Sequence, residues 1–229
     1  MLEKSLEKSK TPNNLNNFNL PTFFIKLGAC LIILSSVLFL IAFHPLIFSE
    51  LKYILLKPNR SAKIVIEQPT VTNDKKSQKH YLKPVDTDFG IVIPKIGANS
   101  SVIPNVSPYD SKIYQPALVK GVAHAEGTVF PGQIGNTFLF SHSSVNIYDA
   151  NRYNAVFYLL RKLDKDDVFY LIYQKNIYKY KVFDKKITEA SDINYLNANA
   201  KKNQATLMTC WPPGTTLKRL VVLGELVEQ

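Results

Sequence analysis

The run Ala205-Thr206-Leu207-Met208-Thr209-Cys210-Trp211-Pro212-Pro213-Gly214, followed by Lys218-Arg219-Leu220-Val221-Val222-Leu223, decides how the rest of the chain is read. Two apolar, strand-forming stretches flank a rigid Pro-Pro-Gly turn, the pattern of two neighbouring strands joined by a short loop. A cysteine ends the first stretch and an arginine opens the second. If the two strands pair, a thiol and a guanidinium lie side by side.

The same strand signals recur upstream. Short β-branched and aromatic runs occupy 89–94 and 101–103. Another, 137–140, follows the turn Gly132-Gln133-Ile134-Gly135-Asn136. Runs at 167–173 and 177–182 flank Gln174-Lys175-Asn176 as the arms of a hairpin. One helix is expected at 154–163, where Val156, Leu159, Leu160 and Leu163 recur at helical spacing. Many short strands with turn signals point to an all-β sandwich or closed barrel, beginning near Pro84.

Ahead of that region lies an uncharged run at 27–43, LGACLIILSSVLFLIAF. Adding residues 20–26, with Lys26 able to snorkel, it reaches the length needed to cross roughly 30 Å of hydrocarbon. It exceeds a signal-peptide core of about 7–15 residues and lacks a small-x-small cleavage site after it, so an uncleaved anchor is expected. Lysines and arginines balance on its two sides, so charge does not orient it. Four domains follow: a polar, disordered tail at 1–19, a transmembrane signal anchor at 20–43, a juxtamembrane stalk at 44–83 and a folded domain at 84–229. Within the stalk, 46–56 keeps helical spacing and Ile64-Val65-Ile66 suggests a short strand.

The 229 residues carry a formal net charge of +10 with only two cysteines, Cys30 and Cys210. The cysteines lie in different regions, so no intrachain disulfide is expected. Lysine and arginine are dispersed rather than blocked, which speaks for a generally basic surface and against nucleic acid as a partner. No acidic cluster suits a metal: Glu126, Glu189 and Asp192 are scattered, and neither metal nor cofactor is expected.

A free thiol with a pKa near 8.5 is only slightly ionised at neutral pH, yet the thiolate is the nucleophile. A catalytic cysteine therefore needs a base, and histidine can take its proton and later pass it to a leaving amine. An arginine can meet charge that develops on a carbonyl oxygen, or hold a peptide with its fork of donors. Of the four histidines, His44 sits at the membrane edge and His80 in the stalk. His142 ends the run Phe138-Leu139-Phe140-Ser141 and is placed at a strand mouth; His124 precedes a turn and reads as a loop-shaping residue. Taken singly, each residue also has a plain structural reading: Cys210 as a small buried side chain, Arg219 as a surface charge, His142 as a satisfied loop histidine.

The combination is more specific. The stretch TLMTC with its Pro-Gly loop and Arg219 resembles the TLxTC signature of the sortase family. The segment GVAHAEGTVFPGQIGNTFLFSHSS is similar to the sortase strand that ends in the catalytic histidine, and 155–183 resembles the helix and hairpin between the two sites. The likeness covers roughly 87–229, and the family also carries an N-terminal membrane anchor. It implies an all-β, closed sortase-type barrel of about eight strands with one or two short helices, preceded by a transmembrane helix. It implies Cys210 as nucleophile, His142 as general acid/base, Arg219 as substrate-positioning or oxyanion residue, and Thr209 in support, lining the same pocket.

The resemblance further implies a cysteine transpeptidase that cuts a C-terminal sorting signal of LPxTG type, holds it as a thioester and passes it to an amine. The implied partners are secreted proteins bearing that signal, an amine acceptor (a peptidoglycan precursor or a pilin lysine) and the plasma membrane, with the N-terminus cytoplasmic and the catalytic domain outside. Two alternatives stay open: a cysteine peptidase in which water replaces the amine, and a non-catalytic, anchored peptide-binding barrel. The chain departs from a common Gly-His pattern with Ser141-His142-Ser143, and its loop from Trp211 to Lys218 is short and proline-rich.

Overall fold

A computed structural model of the chain describes residues 20–56, 63–64, 81–143, 155–196 and 201–228. The expected tail at 1–19 and most of the expected stalk, 57–62 and 65–80, lie outside these residues. The chain divides into two compact units, Met1–Phe43 and His44–Gln229.

Helix α1 runs Leu20–Leu56 and includes the expected juxtamembrane extension. Its stretch Pro21–Ile41, 21 residues with a mean hydropathy of 2.5, is long and apolar enough to cross a membrane. At 1.5 Å per residue it covers about 31 Å, the thickness of a hydrocarbon core. Phe24, Ile25, Ile32, Ile33 and Ile41 are all exposed. A helix apolar on every side and unburied by its own protein suggests a membrane anchor. The two serines of the Pro21–Ile41 stretch suit that medium, because the Ser35 and Ser36 hydroxyls both donate to the Ile32 carbonyl, at 2.9 and 2.8 Å.

After the two-residue strands β1 (Lys63–Ile64) and β2 (Tyr81–Leu82), which pair in parallel, the chain builds an eight-stranded barrel. Its strands are β3 (Phe89–Ile93), β4 (Ala98–Val106), β5 (Val122–Ala125), β6 (Gly135–Phe140), β7 (Val168–Tyr173), β8 (Asn176–Glu189), β9 (Asn203–Trp211) and β10 (Lys218–Glu228). The order around the wall is β10-β8-β7-β3-β4-β5-β6-β9, with β9 and β10 closing the ring. Closure leaves no free edge to aggregate. The expected all-β barrel is therefore what forms.

Two neighbours run parallel, β4 with β5 and β6 with β9; the rest are antiparallel. Parallel neighbours need a crossover, and between β4 and β5 that crossover is helix α2, Ser111–Lys120. Asp110 caps it by accepting from the Lys112 amide at 2.9 Å. The β7–β8 hairpin turns on Gln174 and Lys175, both at positive φ. Their amides donate to the Asp88 and Thr87 carbonyls at 2.9 Å, which offsets a conformation unfavourable for side chains of this kind. Gly224 lies at a register shift between β10 and β8, where a Cβ would strike the Phe169 ring. Only glycine lets the two approach there.

Alternation along the strands separates two apolar layers. Leu139, Leu207, Leu220, Val222, Phe169 and Tyr180 belong to the barrel interior. Phe138 and Phe140, with Ala117 and Leu118 of α2, form an outer layer against which Met208 packs. Each fully buried Leu or Phe contributes about 1.5–3 kcal/mol relative to exposure.

The helix expected at 154–163 is corrected by the structure: of that span, 156–159 is a turn and Leu160–Lys162 a single 3-10 turn. Phe157, Leu160 and Leu163 are fully buried in the interior core. Spacing of three satisfies tight turns as well as a helix, and burial in the barrel decides between them. Nearby, the buried Lys95 amine bonds Asp164 at 2.8 Å and Asp167 at 2.5 Å, tying the end of β3 to the start of β7. Burial opposes the charge on Lys95, but the two carboxylates outweigh it and raise its pKa.

Candidate active site

β9 lies between β6 and β10, and that arrangement assembles the site. Arg219 is the direct cross-strand partner of Cys210 in the antiparallel β9–β10 pair. Directly opposite residues project from the same face with Cβ atoms about 4.5–5.5 Å apart. On its other side β9 runs parallel to β6, with Phe140 opposite Met208. The Ser141 amide donates to the Met208 carbonyl at 3.2 Å, which carries the same register past the end of β6. Continued one residue further, that register would set His142 opposite Cys210. The three residues would then form a row, His142–Cys210–Arg219, across three neighbouring backbones about 4.8 Å apart.

Parity fixes the face. Met208, two residues before Cys210, packs on the outer layer, as does Phe140, two before His142. Leu220, next to Arg219, points inward. The row therefore lies on the outer wall at the ends of the strands, beyond the α2 layer, rather than in the barrel mouth. On the same face the Thr206 hydroxyl donates to Asn136 Oδ1 at 2.9 Å and Asn136 Nδ2 donates to the Tyr195 carbonyl at 2.7 Å, fixing β6 against β9 below the row.

Cys210 is half-buried, open to a reactant yet packed by its neighbours. His142 is half-buried too, and burial lowers its pKa below the ordinary 6.5, which keeps the imidazole neutral and able to accept a proton at neutral pH. Arg219 Nη1 donates to the Thr216 and Lys218 carbonyls at 3.0 Å each. That anchors one arm of the guanidinium on the loop after Cys210 and leaves the other nitrogens of the fork to bind elsewhere. Thr209 faces the opposite way from Cys210. It is almost fully buried and its hydroxyl donates to the Ser141 carbonyl at 2.8 Å.

His124 has a different setting. It is fully buried, its Nδ1 accepts from the Asn105 amide at 3.4 Å, and its Nε2 donates to the Val129 carbonyl at 3.2 Å. Its ring stacks on Phe130 at 4.7 Å. With both nitrogens occupied, it braces the turn after β5, as its sequence position suggested. Among the described residues, no group of three His, Cys, Asp or Glu side chains is placed to hold a metal ion.

The sortase-domain family model matches residues 91–227. The chain belongs to the sortase family. Sortase A of Listeria monocytogenes is 36% identical over 67 residues, a stretch that is 29% of this chain and spans 30% of that relative. Among solved sortases, the Clostridium perfringens sortase C solved with the C-terminal cell wall sorting motif is 32% identical, with a TM-score of 0.51 over 61% of this chain and 70% of that one. Sortase C-1 of Actinomyces oris is 29% identical, with a TM-score of 0.53 over 63% and 76%. The β3–β10 ring is the sortase barrel, and the Cys210 and His142 strands both fall within the matched span.

Proposed function

We propose that this sortase is a membrane-anchored cysteine transpeptidase acting on an LPxTG-like C-terminal sorting signal. The observation that supports it most is the β6–β9–β10 register, which pairs Arg219 with Cys210 and brings the end of β6, two residues before His142, beside the same strand. A related sortase C has been solved with the C-terminal cell wall sorting motif.

The chemistry runs through two acyl transfers. The neutral His142 imidazole takes the Cys210 proton as the sulfur attacks the Thr carbonyl of the signal, forming a C–S bond. Negative charge collects on the carbonyl oxygen, where the unanchored nitrogens of Arg219 donate to it. Collapse breaks the Thr–Gly C–N bond, and the imidazolium returns its proton to the departing amine. The result is a thioester on Cys210. An incoming amine then gives a proton to His142, attacks the thioester and expels the thiolate, which takes that proton back from the imidazolium to restore thiol and neutral imidazole. One amide is exchanged for another, and no oxidant, metal or cofactor enters the balance.

Residues 1–19 are a cytoplasmic tail, 20–43 the signal anchor, 44–83 a juxtamembrane stalk and 84–229 the catalytic domain outside the membrane. The acceptor is the amine of a peptidoglycan precursor or a pilin lysine. The test is product analysis with an LPxTG peptide, with and without triglycine. Triglycine should be joined to the peptide's new C-terminal Thr. Unchanged hydrolysis would make the protein a peptidase, and absence of any cleavage would leave a peptide-binding barrel.

A further inference from the structure

The Thr209 hydroxyl has no task in that chemistry. Thr209 is only 3% exposed, and Leu207, two residues earlier, is part of the interior core. Thr209 therefore projects to the side opposite the neighbouring thiol, where a substrate bound on the outer wall does not reach it.

Its hydrogen bond is informative. In a parallel ladder, the bond after Ser141 N–H to Met208 C=O would run from the Cys210 amide to the Ser141 carbonyl. Here the Thr209 hydroxyl takes that carbonyl at 2.8 Å, with both groups buried. β6 ends at Phe140. Past that point, among the described residues, Ser141 is tied to β9 by its amide bond to Met208 and by this side-chain bond. The residue after Ser141 is His142.

We infer that Thr209 is a positioning residue: its hydroxyl fixes the Ser141 carbonyl and thereby holds the His142 imidazole in register with the Cys210 thiol. This rests on His142 being the base for Cys210. A base must stay within about 2.6–3.2 Å of the atom it deprotonates, and a displacement of about 1 Å costs on the order of a hundredfold in rate. Thr209→Val keeps the shape of the side chain and removes the donor. Thr209→Ser keeps the donor and removes a methyl group.

The experiment uses the full-length protein in detergent. It records iodoacetamide alkylation of Cys210 against pH by peptide mass spectrometry, with free glutathione as the reference thiol, beside kcat/KM on an LPxTG peptide. Thr209→Val is expected to lower kcat/KM ten- to hundredfold and to move the Cys210 alkylation profile to that of His142→Ala. Thr209→Ser should stay within about threefold of wild type, with its profile.

The proposal falls if Thr209→Val keeps both the wild-type profile and turnover, or if Thr209→Ser behaves as the valine variant does. It also falls if Thr209→Val loses turnover and melting temperature while the alkylation profile stays in place, since that is a structural effect alone. His142→Ala separates the two levels. If it loses turnover and shifts the profile while Thr209→Val does neither, only the positioning role is lost. If it does neither itself, the base assignment is wrong and the proposal goes with it.

Discussion

Replacing Arg219 probes the half of the site that does no proton transfer. Its Nη1 is held by the Thr216 and Lys218 carbonyls at 3.0 Å, and its Cα faces that of Cys210 across the strand pair. The guanidinium is thus fixed before substrate arrives, the condition under which a donor stabilises developing charge most effectively. Removing one such preorganised donor costs about 2.7–4 kcal/mol, a loss of 10²–10³ in kcat. Arg219→Ala should fall in that range with KM changed only a few-fold. Arg219→Lys keeps the charge but has a single head that cannot bind both loop carbonyls and still serve the oxyanion. An intermediate loss is expected, about ten- to hundredfold or roughly 1.4–2.7 kcal/mol. The assay is steady-state cleavage of a quenched LPxTG peptide, with melting temperature followed in parallel. A kcat for Arg219→Ala within threefold of wild type at unchanged melting temperature would refute the reasoning, as would full activity in Arg219→Lys.

His142→Ala should fold and lose turnover. His124→Ala should retain most turnover but unfold several degrees earlier, because it empties a buried, doubly bonded site; the reverse pattern would reassign the base. Burial lowers the pKa of both His124 and His142, so between 6.5 and their lower native values the unfolded chain binds more protons than the folded one. Stability is therefore full above pH 6.5 and declines as pH falls through that window, by up to about 1.4 kcal/mol per pH unit per histidine; urea unfolding at pH 7.5, 6 and 5 checks this, and a flat or opposite trend contradicts it. The acid limb of kcat/KM should likewise lie below pH 6.5, whereas activity that rises on acidification would mean the imidazolium is the working form. Protease shaving of intact cells should release the barrel; protection in intact but not lysed cells would reverse the proposed topology.

Parts of this architecture were legible locally. Cys210 and Arg219 are separated by a short Pro-Pro-Gly loop, so their pairing follows from strand signals and a turn. The apolar run of α1 shows its length and lack of charge directly. The approach of the His142 end of β6 to the Cys210 end of β9 is another matter, because β6 and β9 pair in parallel with two strands between them in sequence. No local pattern encodes such a pairing, and the likeness to sortases supplied it. Helix α2 went unread because Pro116 lies inside it, although Asp110 and Gly121 mark its ends. The strand that carries His124, β5, was not among the strand signals, because all four of its residues are buried. Strands buried on both faces lose the alternation by which strands are recognised. The Thr209 hydrogen bond was also hidden: the resemblance implied a side chain lining the Cys210 pocket, whereas Thr209 is buried facing away from it, on the Ser141 carbonyl.

The central claim concerns a covalent bond to one sulfur. Mass spectrometry of the full-length protein, quenched in acid after brief exposure to an LPxTG peptide, measures it directly. The account predicts an adduct of the peptide cut after its Thr, confined to Cys210, discharged by hydroxylamine and absent in Cys210→Ala. Cleavage that persists in Cys210→Ala, or turnover by the wild type through an adduct located elsewhere, would contradict it.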